Sequence, residues 1–246
     1  MKQSIFCIRE NIQIAPDMHE MALEGDISAI TKPGQFVNIA LDGFYLRRPL
    51  SVHDVDPTTG ILRVIYKEVG RGTEVLAGKA AGETLDVLTG LGNGFDIEKA
   101  GENTLVIGGG AGTPPMYWTA KALRDSDRKV TAILGFNTAA EVILQQKFID
   151  AGIPVVITTA DGSFGTKGFV TAALADLPAP EYTFSCGPQP MLRAVYDALA
   201  CSGQFSFEER MGCGFGACMG CSCKTKYGTK RICKDGPILE KEEILW

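Results

Sequence analysis

From Met1 to about residue 98, apolar positions come in short runs broken by turn-forming residues. Phe36-Val37-Asn38-Ile39-Ala40-Leu41, Ile61-Leu62-Arg63-Val64-Ile65-Tyr66 and Thr84-Leu85-Asp86-Val87-Leu88 have the look of strands. Pro33-Gly34, Pro57, Gly60, Gly90, Gly92 and Gly94 punctuate them. Short strands at this spacing predict a small antiparallel β-barrel. A short helix is expected at Thr73–Gly78, opened by a Thr N-cap. No internal repeat or low-complexity tract is visible.

Beyond Gly101 the period changes. Thr104–Ile107 is a continuous apolar run, followed by glycines and a helical stretch to about Arg124. Val130–Phe136 and Val155–Thr159 predict further strands, with a helix over Ala140–Asp150 between them. Phe169–Leu174 reads as helical, Tyr182–Cys186 as extended, Pro190–Ser202 as helical and Phe205–Glu208 as extended. Buried strands alternating with helices predict a parallel sheet covered on both faces. The expected organisation is therefore a β-barrel over residues 1–99 and a parallel α/β domain over 100–209. A small C-terminal segment, 210–246, is too rich in Cys and Gly for a conventional core and is expected to fold around a metal.

Composition narrows the function. The 246 residues are 45% hydrophobic and 22% charged, ordinary for a globular chain of one or two domains. A net charge of −5 offers no field to attract nucleic acid. No apolar run approaches the roughly 20 residues of a membrane span, so no membrane association is expected. Lys2, Arg9 and Glu10 interrupt the first ten residues, unlike a secretory leader. A cytoplasmic location follows as the expectation. In a reducing compartment the eight cysteines are not expected to form structural disulfides, and the C-terminal group reads as metal ligands.

That group is Cys213-x4-Cys218-x2-Cys221, with eleven residues before Cys233. The spacing is that of a plant-type 2Fe–2S site. Gly212, Gly214, Gly216, Ala217 and Gly220 let a loop wrap closely and aim backbone N–H groups at the sulfurs. Structural zinc more often takes two close Cys pairs, so a zinc-binding, non-redox module is the weaker alternative. Cys223 would spoil the x4/x2 order and is expected to be a bystander. Cys7 and Cys201 sit in apolar patterns as small core residues.

Two further motifs suggest redox cofactors. Arg47-Arg48-Pro49-Leu50-Ser51-Val52 lies between predicted barrel strands and resembles the flavin motif of the ferredoxin–NADP reductase superfamily. Arg48 can contact a pyrophosphate in bidentate fashion, and Ser51 can donate near flavin N5. Ile65-Tyr66-Lys67 and Gly72-Thr73 follow on the next strand and turn, where a helix N-terminus favours a phosphate. Arg48, Pro49, Leu50, Ser51, Ile65, Tyr66, Lys67, Gly72 and Thr73 are thus candidate FAD contacts. His53, with no partner visible, is expected to be an ordinary strand residue.

Gly108-Gly109-Gly110-Ala111-Gly112-Thr113-Pro114-Pro115 follows a strand and opens a helix, a turn at which backbone approaches a pyrophosphate. It departs from the usual dinucleotide fingerprint and is similar to the Gly110-x-Gly112-x-x-Pro115 form of the same superfamily. Asp161 in Asp161–Gly165, and Cys186, Gly187, Pro188 and Met191 after the fourth strand, would meet the same ligand at the carboxyl ends of the strands. Gly108, Gly110, Ala111, Gly112, Thr113 and Pro114 complete the candidate NAD contacts. Gly135–Thr138 and Thr158–Asp161 supply no Arg or Lys for a 2′-phosphate, which favours NAD over NADP.

The segment from Glu208-Glu209-Arg210-Met211-Gly212-Cys213 to Cys221, closing with Cys233-Lys234-Asp235-Gly236-Pro237, strongly resembles one family. It is the electron-transfer subunit of the NAD-dependent class of dihydroorotate dehydrogenase, and the resemblance spans essentially the whole chain. The resemblance implies FAD, a 2Fe–2S cluster and NAD as cofactors. It implies a separate FMN-containing catalytic subunit as partner, two copies of each, and a role in pyrimidine biosynthesis. Dihydroorotate would be oxidised on the partner; no nucleophile or acid–base pair for an organic substrate is apparent in this chain. A related flavin/iron–sulfur reductase subunit serving ferredoxin or sulfide/polysulfide is the alternative. Phe215 and Met219, between the cysteines, are expected at the partner contact or as shields for the sulfurs.

Overall fold

The computed structural model describes residues 1–246. Six antiparallel strands close into a barrel in the order β1-β2-β5-β4-β3-β6. They are β1 (Lys2–Ala15), β2 (Met18–Glu24), β3 (Phe36–Ile39), β4 (Arg48–Asp56), β5 (Ile61–Lys67) and β6 (Thr84–Leu91). Alternate residues of these strands, among them Ile8, Met21, Val37, Val64 and Val87, fill the interior. Helix α1 (Arg71–Ala77) seals one end by burying Leu76 in that core.

The barrel contains more strand than the sequence pattern suggested. The β1–β2 hairpin was not expected because most of the outward positions of β1 stay polar or exposed. Residues 48–52 are not a link between strands but the start of β4. Helix α1 begins at Arg71 after an N-cap at Gly70, not at Thr73. The Thr73 hydroxyl instead accepts the N–H groups of Val69 and Gly70 and donates to the Gly70 carbonyl.

The second domain is built on β7 (Asn103–Gly109), β8 (Lys129–Phe136), β9 (Val155–Thr159), β10 (Thr166–Lys167), β11 (Tyr182–Cys186) and β12 (Ser202–Ser206). They are parallel and lie in the order β10-β9-β8-β7-β11-β12. Helices α2 (Thr113–Asp125), α3 (Gln145–Asp150) and α4 (Gln189–Ala198) cover the sheet. The expected helix over 140–150 is only α3, because Leu144 at φ 67° separates it from a single 3-10 turn at Ala139–Glu141. Residues 170–176 form a 3-10 helix. Strand β12 begins at Ser202, where Gln204 broke the apolar pattern; that side chain is buried because it accepts the Asp96 N–H and donates to Glu240.

The C-terminal segment carries a hairpin, β13 (Ser222–Thr225) and β14 (Gly228–Arg231), then the single turn α5 (Ile232–Asp235). Its last strand, β15 (Ile238–Glu240), joins the large sheet antiparallel to β12. The segment therefore has more of a core than its composition suggested. Ile232, Cys221, Cys233 and Leu239 pack with Phe36 and Leu91 of the barrel and with Ile107 and Phe205 of the sheet. Asn93, just past β6, fastens this arrangement by exchanging hydrogen bonds with the Ile238 backbone.

Candidate functional site

The cysteine loop brings four sulfurs together as two pairs. The hairpin β13–β14 returns the chain so that the Cys221 and Cys233 sulfurs lie 3.2 Å apart. Cys213 and Cys218 form the other pair, each receiving the other's backbone N–H at 3.4–3.5 Å. Phe215 and Ala217 also donate to the Cys213 sulfur, Gly220 to Cys218 and Cys233 to Cys221. No three His, Cys, Asp or Glu side chains converge on a single point as one ion would require. Two thiol pairs, each for one iron, fit a 2Fe–2S cluster.

The electrostatics agree with that donor set. Burial opposes ionisation of Cys213, but the N–H groups of Cys218, Phe215 and Ala217 outweigh it and bring the thiol down to about 6. Burial and the neighbouring Cys221 push Cys233 up to about 12. Cations between such a pair are what allow both thiols to ionise. Cys223 lies apart from these contacts, its sulfur facing only the Lys224 carbonyl.

The barrel face carrying the flavin motif abuts the cysteine loop. In β3–β4, Asn38 is opposite Pro49 and Phe36 opposite Ser51, so these four side chains share one face. Asn38 donates from Nδ2 to the carbonyl of Cys213 at 3.3 Å. Arg48 lies over the ring of Phe44 at 4.6 Å and against α1. A Cβ on Gly72 would fall 1.9 Å from Arg48 Nε, so the guanidinium occupies the notch that glycine leaves. This Arg48–Gly72 cradle fits the pyrophosphate of FAD. Other candidates are committed inside the barrel: Tyr66 is buried and donates to Asn11, and Thr73 closes the start of α1. Leu50 packs on the barrel core, Ile65 faces the sheet domain, and Lys67 is exposed.

A cleft of about 430 Å³ opens at the carboxyl ends of β7, β8, β9 and β11. Gly109, Gly110, Gly135, Thr158, Pro188 and Met191 are among its walls. This is the position at which parallel α/β sheets bind dinucleotides. Of the sequence candidates, Gly110, Pro188 and Met191 line it. Gly112 sits behind it, where a Cβ would meet the Cys186 carbonyl at 2.4 Å; the two loops pack together only because that residue is glycine. Thr113 is buried, and the Pro114 carbonyl faces the barrel. Gly108 and Gly187 are likewise packing positions, Ala111 is exposed, and Asp161 is tied to Ser163 outside the cleft. Cys186 is buried, and burial with Glu208 nearby pushes its thiol up to about 12, so it is neutral.

Sequence reasoning passed over the seam between the domains. His53 is fully buried and its Nδ1–H donates to the Pro114 carbonyl at 2.9 Å; its Nε2 has no partner. The ring packs on Tyr117, and burial lowers its pKa to about 4. Glu20–Lys147 at 2.8 Å and Asp54–Lys121 at 3.2 Å cross the same seam. His53 and Asn38 gave no local sequence signal, because their partners Pro114 and Cys213 are distant along the chain.

A flavin-type barrel, a nucleotide-binding sheet and a paired-cysteine loop define an iron–sulfur reductase of the ferredoxin reductase class. Solved structures agree. The NADH-dependent reduced ferredoxin–NADP oxidoreductase structure, studied for flavin-based electron bifurcation, superposes with a TM-score of 0.91. It is 32% identical, over 99% of this chain and 90% of that one. The cytochrome b5 reductase domain of Ulva prolifera nitrate reductase shares the fold at a TM-score of 0.63 and 19% identity, over 78% of this chain and 89% of that one. Residues 208–245 match the iron–sulfur cluster binding domain of dihydroorotate dehydrogenase B. The electron transfer subunit of dihydroorotate dehydrogenase B (NAD(+)) from Shouchella clausii is 39% identical over 99% of this chain and 98% of its own. That of Fusobacterium nucleatum is 40% identical over 99% of each. The chain belongs to this family of electron transfer subunits. No helix is long and apolar enough to cross a membrane.

Proposed function

We propose that this chain passes electrons from the FMN of a dihydroorotate dehydrogenase catalytic subunit, through a 2Fe–2S cluster and FAD, to NAD⁺ in pyrimidine biosynthesis. The observation that carries the reading is the contact between Cys213 and Asn38, which sets the cysteine loop against the strand pair bearing Arg48–Ser51. Bound FAD supplies the hydride that NAD⁺ accepts. This chain's residues do the rest by position. Arg48 and the Gly72 notch hold the pyrophosphate of FAD, and Ser51 lies on the face turned to the cysteine loop. The cleft walled by Gly110, Pro188 and Met191 takes NAD, with the neutral Cys186 thiol buried behind the turn.

The partner is an FMN-containing catalytic subunit, joined two-to-two, and the complex works in the cytoplasm, where Cys7, Cys186, Cys201 and Cys223, outside the cluster, stay reduced. The test is to express both subunits, isolate the complex and follow dihydroorotate-dependent NAD⁺ reduction. Full activity expected with this chain should vanish without it, while dihydroorotate oxidation by an artificial acceptor persists. The 0.91 superposition on a ferredoxin-linked oxidoreductase favours one second reading, service to a different flavoprotein partner. Failure to bind the dihydroorotate dehydrogenase subunit, with reduction of ferredoxin by NADH, would select it.

A further inference from the structure

Asn38 interrupts the apolar run Phe36-Val37-Asn38-Ile39 and is only 1% exposed. Val37 and Ile39 point into the barrel core, so Asn38 faces outward, toward the cysteine loop. Its backbone carbonyl is pinned by Arg47, which is itself held in bidentate fashion by Asp86. Nδ2 donates to the Cys213 carbonyl. That approach needs glycine next door: a Cβ on Gly214, at φ 77°, would lie 2.3 Å from Nδ2. Oδ1, by contrast, is buried and has no partner. Pro49 lies directly across the strand pair, and Ser51 diagonally, at roughly 7–8 Å by sheet geometry.

Resting on the cofactors given above, we propose that Asn38 is a positioning residue that holds the cluster loop against the strand pair carrying the candidate FAD contacts Arg48 to Ser51. Its Nδ2 fixes the carbonyl of a ligand cysteine, while its own backbone carbonyl is anchored through Arg47 to Asp86. This one side chain thereby sets how closely the cluster loop approaches that strand pair, with no bond made or broken on Asn38 itself. It also explains why a polar amide is kept at a position flanked by barrel-core residues.

The test uses the full chain with FAD and cluster bound, comparing wild type with Asn38→Ala and the isosteric Asn38→Asp. FAD and iron content are measured first. NADH is then mixed in a stopped-flow cell, where flavin bleaching and cluster reduction are separate phases. The reduced cluster is examined by electron paramagnetic resonance and potentiometry. The cluster phase should slow at least tenfold more than the flavin phase, with an altered cluster spectrum or potential. Asn38→Asp, which sets an acidic oxygen against the Cys213 carbonyl, should retain both cofactors. Wild-type phase ratios and spectra in cofactor-replete variants overturn the proposal. So does loss of either cofactor from Asn38→Asp, which would make Asn38 a folding element. A wild-type chain without FAD or iron sinks the proposed function and the coupling together, whereas unchanged variants sink only the coupling.

Discussion

The sulfur of Cys221 lies 3.2 Å from that of Cys233, although eleven residues separate them in sequence. The hairpin β13–β14 makes this pair, with Ser222 opposite Arg231 and Cys223 opposite Lys230. Cys223 is two residues from a ligand, but its sulfur contacts the Lys224 carbonyl and pairs with no cysteine sulfur. Cys233→Ser should abolish the visible absorption and the paramagnetic signal of the cluster. Cys223→Ser should leave both unchanged. Loss of the cluster in Cys223→Ser would overturn the assignment of ligands.

Arg48 and Gly72 occupy one notch, so each limits the other. Gly72→Ala should displace the guanidinium and weaken FAD binding as Arg48→Ala does. A lost hydrogen bond to a charged group costs about 1.5–3 kcal/mol, so the Kd for FAD should rise by about tenfold to a hundredfold. Because both changes remove the same contact, the double variant should be little worse than either single one. Titration of the apo chain with FAD measures all three. Additive losses would mean that Gly72 acts independently of Arg48.

The glycine turn and Asp161 part company in the nucleotide cleft. Gly110 has a φ of 51° and open space where a Cβ would stand, so Gly110→Ala puts a methyl group into the cleft in an unfavourable backbone conformation. The KM for NADH should rise about tenfold, the effect of one crowded methyl group. Asp161 has its carboxylate lowered by the hydroxyl and N–H of Ser163, and it turns away from the cleft. Asp161→Ala should leave the KM within about twofold. Steady-state reduction of an artificial acceptor by NADH measures both.

These contrasts show where the sequence was legible. Patterns that are local to the chain were readable: the glycine turn that opens a helix at Gly110–Thr113, and the close spacing that puts Cys213 and Cys218 in one loop. The alternation of strand and helix after Gly101 was readable for the same reason. What escaped was made by packing across distance. His53 meets Pro114 sixty-one positions later, and Asn38 meets Cys213 after one hundred and seventy-five. Thr73 was misjudged as a helix start because a threonine before a helix looks the same whether it caps at that position or three residues inside. Strand β15 was lost in a Cys- and Gly-rich tail, yet it completes the sheet next to β12.

His53 gives the fold a pH dependence with a definite sign. Burial lowers its pKa from 6.5 to about 4, with the Pro114 carbonyl partly opposing, so the folded chain holds the ring neutral. Below pH 6.5 the unfolded chain takes up a proton that the folded chain refuses. Stability present above pH 6.5 is therefore lost as pH falls toward 4, by about 3 kcal/mol for a shift of this size. Glu20 is lowered because Lys147 outweighs its burial, and its contribution is lost in the same direction at lower pH. Urea unfolding of the full chain between pH 7 and 4 should show a steep decline. His53→Leu should be less stable at pH 7, where the Pro114 carbonyl loses its donor, and flatter across the window. An equally steep decline in the variant would remove His53 as the cause.

Met219 tests whether the cluster loop is also the contact with the partner. It is 55% exposed and Phe215 is 43% exposed, and the two flank Cys218. Met219 has a φ of 63°, a left-handed conformation in which a side chain costs about 1–2 kcal/mol relative to its usual region. Packing within this chain does not recover that cost, because the side chain faces solvent. Met219→Gly should therefore raise the unfolding free energy slightly, by up to about 1 kcal/mol after the extra chain entropy of glycine. If the side chain serves the interface, the same variant should bind the catalytic subunit at least tenfold more weakly. Phe215→Asp should weaken the complex further while keeping the cluster's absorption. Stability and partner affinity would then move in opposite directions at one residue, which is the mark of strain kept for contact. Unchanged affinity in both variants, with faster bleaching of the cluster in air, would leave the two side chains as shields for the sulfurs alone.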